Sequence, residues 1–127
     1  MVPFSRKGCA LCQQCYHIAK VYLFVQSLKE ERYYGIIPAY RPGKEFEKLL
    51  DSLSTQNYPV EKILVMNTEE KFWNTAWEKK FPKVNVVHLK KADFDHGGTR
   101  CRGARLSDSD IMVFMTQDAV PADRNLI

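Results

Sequence analysis

An α/β fold built on a mainly parallel sheet is what this sequence predicts, and three observations carry the prediction. From residue 33 onward, short apolar runs alternate with helical patterns. The apolar runs are continuous, which suits strands buried on both faces of a parallel sheet. The connections between runs and helical patterns are short, as in α/β domains. The chain has 127 residues, 45% hydrophobic and 27% charged, enough for one domain with one core.

The elements follow in order. "YYGIIPAY" is a short apolar strand broken by Pro38. "GKEFEKLLDSLSTQ" places Phe46, Leu49, Leu50 and Leu53 at i, i+3, i+4 and i+7, one apolar face of a helix. "NYP" is a turn and "EKILVMN" a second strand. "TEEKFWNTAWEKKF" reads as one helix, with Phe72 and Ala76, and Trp73 and Trp77, as i,i+4 pairs. Both tryptophans are expected in the core. "KVNVVHL" is the third strand. "GGTRCRGARL" is a helix whose Gly97, Cys101 and Ala104 form a narrow small-residue face, so it can lie close to the sheet. "DIMVFM" is the fourth strand.

Residues 1–32 read as an amino-terminal extension and 33–127 as the domain. "IAKVYLFVQSLKEE" has a helical cast. Cys9, Cys12 and Cys15 form C-x-x-C-x-x-C, with His17 just after. Thiolates at this spacing can share zinc or an iron–sulfur cluster. Such sites need a further ligand pair or a fourth cysteine, and Cys101 is remote, so this is half a motif. The other reading is three reduced thiols on a poorly packed segment, dispensable and quickly lost to limited proteolysis.

The net charge of +4 favours anionic partners. The basic residues are spread out, which argues against a nucleic-acid arm. No stretch reaches the roughly 18 apolar residues of a membrane helix. Arg6 and Lys7 imitate the start of a signal peptide, but the apolar stretch after them is interrupted and no cleavage site follows. The default location is cytoplasmic.

In open parallel sheets, ligands bind beyond the carboxyl ends of the strands, where helix amino termini also point. Four tips qualify: Pro38–Tyr40, Asn67–Glu69, Lys91–His96 and Thr116–Ala119. This rule sorts the acidic residues as cation ligands. Asp118 follows its strand and ranks first. Asp95 ranks second, with helix capping as its other reading. Asp108 and Asp110 precede their strand and read as a solvated turn. Asn67, three residues before Glu70, reads equally as a ligand-binding group or as the cap of the next helix.

From "GIIPAYRPGKEFEKLLDSLSTQNYP" through "FDHGGTRCRGARLSDSDIMVFMTQDAVPAD", the chain resembles family 2 glycosyltransferases, most of all the rhamnosyltransferase-like branch. The resemblance implies a GT-A fold, a nucleotide-sugar donor such as a dTDP- or UDP-sugar, a glycan acceptor, and Mg²⁺ or Mn²⁺. It implies that Pro38, Ala39 and Tyr40 face base and ribose, that Arg100 approaches base or phosphates, and that Thr116-Gln117-Asp118 stands for an Asp-x-Asp motif with Asp118 on the metal. Asn67 stands where the family commonly carries Asp, and Cys101 where Asn is expected.

The remaining residues have plainer readings. Tyr40 could cover a helix end, and His96 could cap or pack locally. Arg100, Arg102 and Arg105 spread around a helix as a solvated face. The family's acceptor-binding half and general base are expected beyond Ile127. Within the chain, Asp123 alone follows Asp118 as a candidate base, on the same tip. A chain holding only the donor-binding half should not turn over a donor, and its sheet should keep an open edge prone to association. Peripheral membrane association of the full enzyme, at the inner face, stays open. Two rival functions are a non-catalytic nucleotide-binding module and a thiol-metal protein using Cys9, Cys12 and Cys15.

Overall fold

The computed structural model describes residues 4–5 and 31–127. Cys9, Cys12, Cys15 and His17, and the helix expected before residue 31, lie outside the described residues. The sheet has five strands: β1 (Phe4–Ser5), β2 (Tyr33–Tyr40), β3 (Lys62–Thr68), β4 (Val84–Leu89) and β5 (Ile111–Phe114). Among the described residues, three α-helices connect the parallel strands: α1 (Lys44–Ser54), α2 (Ala76–Lys80) and α3 (His96–Leu106).

The strand order is β1-β5-β2-β3-β4. The four long strands are parallel, in register Ile36↔Leu64, Leu64↔Asn85 and Ile36↔Phe114. The two-residue β1 pairs antiparallel with β5 at Met112 and Ile111. Two residues of the amino-terminal extension thus pair with half of β5, and the edges of the sheet are β1 and β4.

Each face of the sheet has its own cover. Phe46, Leu49, Leu50 and Leu53 of α1 are fully buried against Ile37, Ile63, Val65 and Val113. Each such side chain contributes about 2 kcal/mol of hydrophobic stabilisation. Trp73 and Trp77 close this layer as expected, with ring centroids 5.1 Å apart. On the other face, Ile36, Leu64, Met66, Leu89 and Met112 form a second cluster, over which α3 runs.

Three local expectations are corrected. The "TEEKFWNTAWEKKF" stretch is not one helix: a 3-10 turn at Glu70–Phe72 and α2 are separated by an extended Trp73. Asn74 breaks the run, because its side-chain oxygen takes the amide of Ala76 at 3.0 Å. Pro38 does not break β2. The carbonyl of Ile36 accepts from Met115 N at 3.1 Å on the β5 side. Two residues on, the Pro38 nitrogen faces that same side, beyond Phe114, where the β2–β5 ladder has ended. The proline therefore costs no ladder bond.

The third correction concerns the sheet-facing side of α3. Cys101 is exposed, while Thr99 and Gly103 are buried. A Cβ at Gly103 would sit 2.7 Å from Ile36 Cγ2 and 3.5 Å from Met66 Cγ. The small-residue expectation holds for Ala104, which is partly buried against the second cluster, and fails for Cys101 and Gly97. At Gly97, by contrast, a Cβ would meet nothing within 4 Å.

At the amino edge the acidic pair behaves as a turn. Asp110 accepts from Arg32 N at 2.9 Å, and the Tyr34 hydroxyl donates to Asp108 Oδ1. That hydrogen bond from Tyr34 is the main reason the Asp108 carboxyl is held below its ordinary value of 3.8.

Three outcomes follow for stability. Gly103→Val should destabilise the fold by at least about 2 kcal/mol, since Ile36 is stiff and fully enclosed. Gly97→Ala should instead be neutral or stabilising by up to about 1 kcal/mol. Urea unfolding of both variants checks this. For Asp108 the folded pKa is the lower one, so its stabilisation is present above the unfolded value and lost as pH falls through the folded value. Asp108→Asn should remove that part of the acid sensitivity, read from urea midpoints between about pH 5 and about pH 2.

Candidate functional site

The parallel strands run β4-β3-β2-β5 across the sheet, so the chain first winds outward from β2 and then returns to its other side. The point of reversal lies between β2 and β5, and open parallel sheets bind ligands beyond the carboxyl ends of the strands at such a point. The tips of these two strands are Pro38–Tyr40 and Thr116–Ala119.

They are joined by one side chain. Gln117 Oε1 accepts from Tyr40 N at 2.7 Å, and Gln117 Nε2 donates to Tyr40 O at 3.1 Å. Beyond Phe114 the carboxamide thus continues the ladder that β5 no longer supplies. Both of its hydrogen-bonding atoms are engaged by Tyr40. A tight turn follows, with Ala119 N bonded to Thr116 O at 3.2 Å and Val120 N to Asp118 O at 3.2 Å. The turn leaves Asp118 exposed.

The Tyr40 ring meets Phe72 edge-on, with centroids 6.2 Å apart. The Arg41 guanidinium lies 5.2 Å from the Tyr40 ring centre and 4.5 Å from that of Phe72, and the Lys91 ammonium lies 5.8 Å from Tyr40. Pro38 is half-buried and Ala39 buried. The rim is therefore aromatic at its centre and cationic around it, which suits an anionic ligand with a planar group.

Asn67, at the next tip, is fully buried. Its Nδ2 donates to Glu69 O at 3.3 Å and lies 3.1 Å from His88 Nδ1. Its Oδ1 and the hydroxyl of Thr68 have no hydrogen-bond partner among the described residues. Asn67 does not cap the following turn, which begins at Glu69 with no side-chain cap.

The loop after β4 is arranged around the start of α3. Asp95 Oδ2 accepts from Gly98 N at 2.8 Å, the N-cap expected as its alternative reading. His96 packs locally, 5.0 Å from the Phe94 ring. Arg100 is half-exposed, and its Nη1 donates to His96 O at 3.0 Å. Arg102 and Arg105 are exposed.

Asp123 is not on the tip of Asp118. Its carbonyl accepts from Gln56 Nε2 at 2.9 Å, and its carboxylate accepts from Asn125 N at 2.8 Å. Gln56 follows the carboxyl end of α1, so the tail has crossed toward the amino edge of the sheet. Leu126 N bonds Gln56 Oε1 at 2.9 Å, and Leu126 packs on the core.

As a metal position, Asp118 offers one carboxylate. No group of three potential ligands forms among the described residues. That donor set suits Mg²⁺ or Mn²⁺ held partly by phosphates, because such ions keep few protein ligands. It does not suit a closed structural site.

Sequence reasoning missed two features. The Asn67–His88 contact arises because the two residues are partners in the β3–β4 register, and register is not written in either segment alone. The Gln117 clamp depends on where β5 stops against β2.

The family described as Glycosyl transferase family 2 matches residues 35–126. Among curated proteins, the O-antigen chain rhamnosyltransferase RfbN of Salmonella typhimurium is 31% identical over 93 residues, 72% of this chain and 30% of that protein. The O-antigen chain rhamnosyltransferase WbaN of Salmonella anatum is 39% identical over 44 residues, 34% of this chain and 14% of that protein. The chain thus spans less than a third of these relatives' length. Among solved structures, the mannosyltransferase PcManGT of Pyrobaculum calidifontis, in complex with GDP-Man and Mn²⁺, superposes with a TM-score of 0.62 at 18% identity over 92% of this chain and 40% of that one. S. aureus TarS 1-349 superposes with a TM-score of 0.58 at 20% identity over 70% of this chain and 28% of that one. The four-stranded parallel sheet with its flanking helices is that of the GT-A glycosyltransferases, and the chain belongs to glycosyl transferase family 2.

Proposed function

We propose that this domain binds a nucleotide-sugar donor at its carboxyl edge, and that the protein transfers the sugar, rhamnose being the first candidate, to a glycan acceptor. The observation that carries the reading is the meeting of the β2 and β5 tips at the strand-order reversal, where Gln117, the residue before the exposed Asp118, is bonded to the Tyr40 backbone. Family membership favours transfer over a thiol-metal role for Cys9, Cys12 and Cys15.

Each residue has a part in this reading. Pro38, Ala39 and Tyr40 form the wall for base and ribose. Asn67 Oδ1 and Thr68 Oγ1 are buried acceptors in want of a donor. Thymine and uracil both carry an imide N–H that can supply it, which favours dTDP- or UDP-sugars. Arg100 reaches base or phosphates by leaving the carbonyl of His96. Asp118 holds Mg²⁺ or Mn²⁺ against the diphosphate. When bound, that cation stabilises the negative charge gained by the departing nucleoside diphosphate as the glycosidic bond breaks. Arg41 and Lys91, on the Tyr40 ring, add positive potential at the same rim. We place the reaction in the cytoplasm or at the inner face of the membrane, where a net charge of +4 suits an acidic surface.

Calorimetry with UDP and dTDP, with and without Mn²⁺, tests the binding half of the proposal. The parent should bind more tightly when Mn²⁺ is present. Asp118→Ala should lose at least about tenfold in the Mn²⁺-dependent affinity with an unchanged circular dichroism spectrum, because Asp118 is exposed. Equal affinities in variant and parent would remove Asp118 from the site. Acceptor-dependent release of nucleoside diphosphate from dTDP- or UDP-sugars separates a transferase from a non-catalytic nucleotide-binding module.

A further inference from the structure

We propose that Gln117 is a positioning residue rather than a ligand contact: its carboxamide acts as a surrogate peptide group that locks the Tyr40 backbone and so fixes the spacing between the β2 tip and Asp118. The proposal rests on the donor-binding reading above, and it assigns Gln117 a role different from the donor contact that its place beside Asp118 suggests.

The geometry supports a surrogate peptide. Along β2, every second residue turns both backbone groups to the β5 side. Ile36 O is met there by Met115 N at 3.1 Å. Pro38 has no N–H to offer. Tyr40 is next in phase, and both its N–H and its C=O are taken by Gln117, at 2.7 Å and 3.1 Å. Only a group with one donor and one acceptor side by side can make this pair, and a primary carboxamide presents an N–H and its oxygen on one edge, in place of the two successive peptide groups a neighbouring strand would supply. Without it, the Tyr40 amide would lose its partner at the place where Arg41 enters the left-handed region, at φ 48°. The next residue along from Gln117 is Asp118, so the clamp and the candidate metal ligand share one turn.

A neutral carboxylic acid offers the same donor–acceptor pair as a carboxamide, whereas a carboxylate offers acceptors only. Gln117→Glu is therefore a reversible lesion. Its introduced carboxyl faces the Tyr40 backbone, with Asp118 beside it and Arg41 and Lys91 on the Tyr40 ring. Gln117→Leu is the permanent lesion.

The first measurement needs no ligand. Hydrogen exchange of the Tyr40 amide, followed by NMR in parent and variants, should show about tenfold loss of protection in Gln117→Leu. In Gln117→Glu the loss should appear at neutral pH and shrink relative to parent as pH falls toward about 4.3, the ordinary glutamate value. The second measurement is the affinity of parent and Gln117→Leu for UDP and dTDP with Mn²⁺ at neutral pH, which should be about tenfold weaker in the variant.

An unchanged Tyr40 exchange rate in both variants would overturn the proposal. So would a Gln117→Leu variant that keeps the parent's Tyr40 exchange rate but loses nucleotide affinity, since that outcome marks direct contact with the nucleotide. If the parent binds neither nucleotide, the donor-binding reading falls while the exchange measurement still decides whether Gln117 holds Tyr40.

Discussion

Strand β2 is paired on both sides by parallel neighbours, β3 and β5, and the rest of the domain depends on that placement. Parallel pairing requires a crossover between successive strands, and the crossovers supply the helices that cover both faces. Because the chain leaves β2 in one direction and comes back to its other side, two strand tips from distant parts of the sequence meet at one point. Tyr40 and Gln117 are joined there by two hydrogen bonds. Close approach elsewhere serves the same end. The missing side chain of Gly103 lets α3 lie on Ile36 and Met66, and the Asp95 cap fixes where that helix begins.

The parts of this fold legible in the sequence are those that one segment determines by itself. The α1 stripe of Phe46, Leu49, Leu50 and Leu53 is a single periodic pattern, and all four residues are buried as expected. The four apolar runs are strands for the same reason. The parts that failed need knowledge of a neighbour. Pro38 breaks a strand only if its nitrogen faces a partner, and here the partner has ended. The phase of α3 could not be read from its residues, because it carries no large apolar side chain before Leu106 to mark a buried face. The tryptophan-rich stretch was legible as core but not as a broken helix, since the Asn74 turn competes with helical hydrogen bonding. Within the candidate site, Asp95 as a cap was readable from local spacing. The roles of Gln117 and Asn67 required the register across the sheet.

The electrostatics of this rim bear on the proposed role of a single carboxylate there. Asp118 is exposed and has no second acidic residue close enough to complete a ligand group among the described residues. Arg41, Lys71 and Lys91 all lie over the Tyr40 and Phe72 rings near the same rim. A dianionic or trianionic ligand can satisfy these cations and share a divalent ion with Asp118. In the proposed reading, a rim richer in acid would favour a cation alone and repel the accompanying diphosphate.

The two edges of the sheet also differ in how well they are satisfied. At the amino edge, Tyr34 bonds Asp108, Arg32 pairs with Asp110, and Ser107 bonds Ser109 at 2.7 Å. Nothing there is strained. At the carboxyl edge, Arg41 and Glu69 take the left-handed region, at φ 48° and 66°, without being glycine. Such residues cost about 1–3 kcal/mol each. The buried Asn67 Oδ1 and Thr68 Oγ1 lack partners at the same edge, and an unsatisfied buried polar atom costs about 1–3 kcal/mol. Strain and unmet hydrogen-bonding capacity thus gather at the tips of β2 and β3.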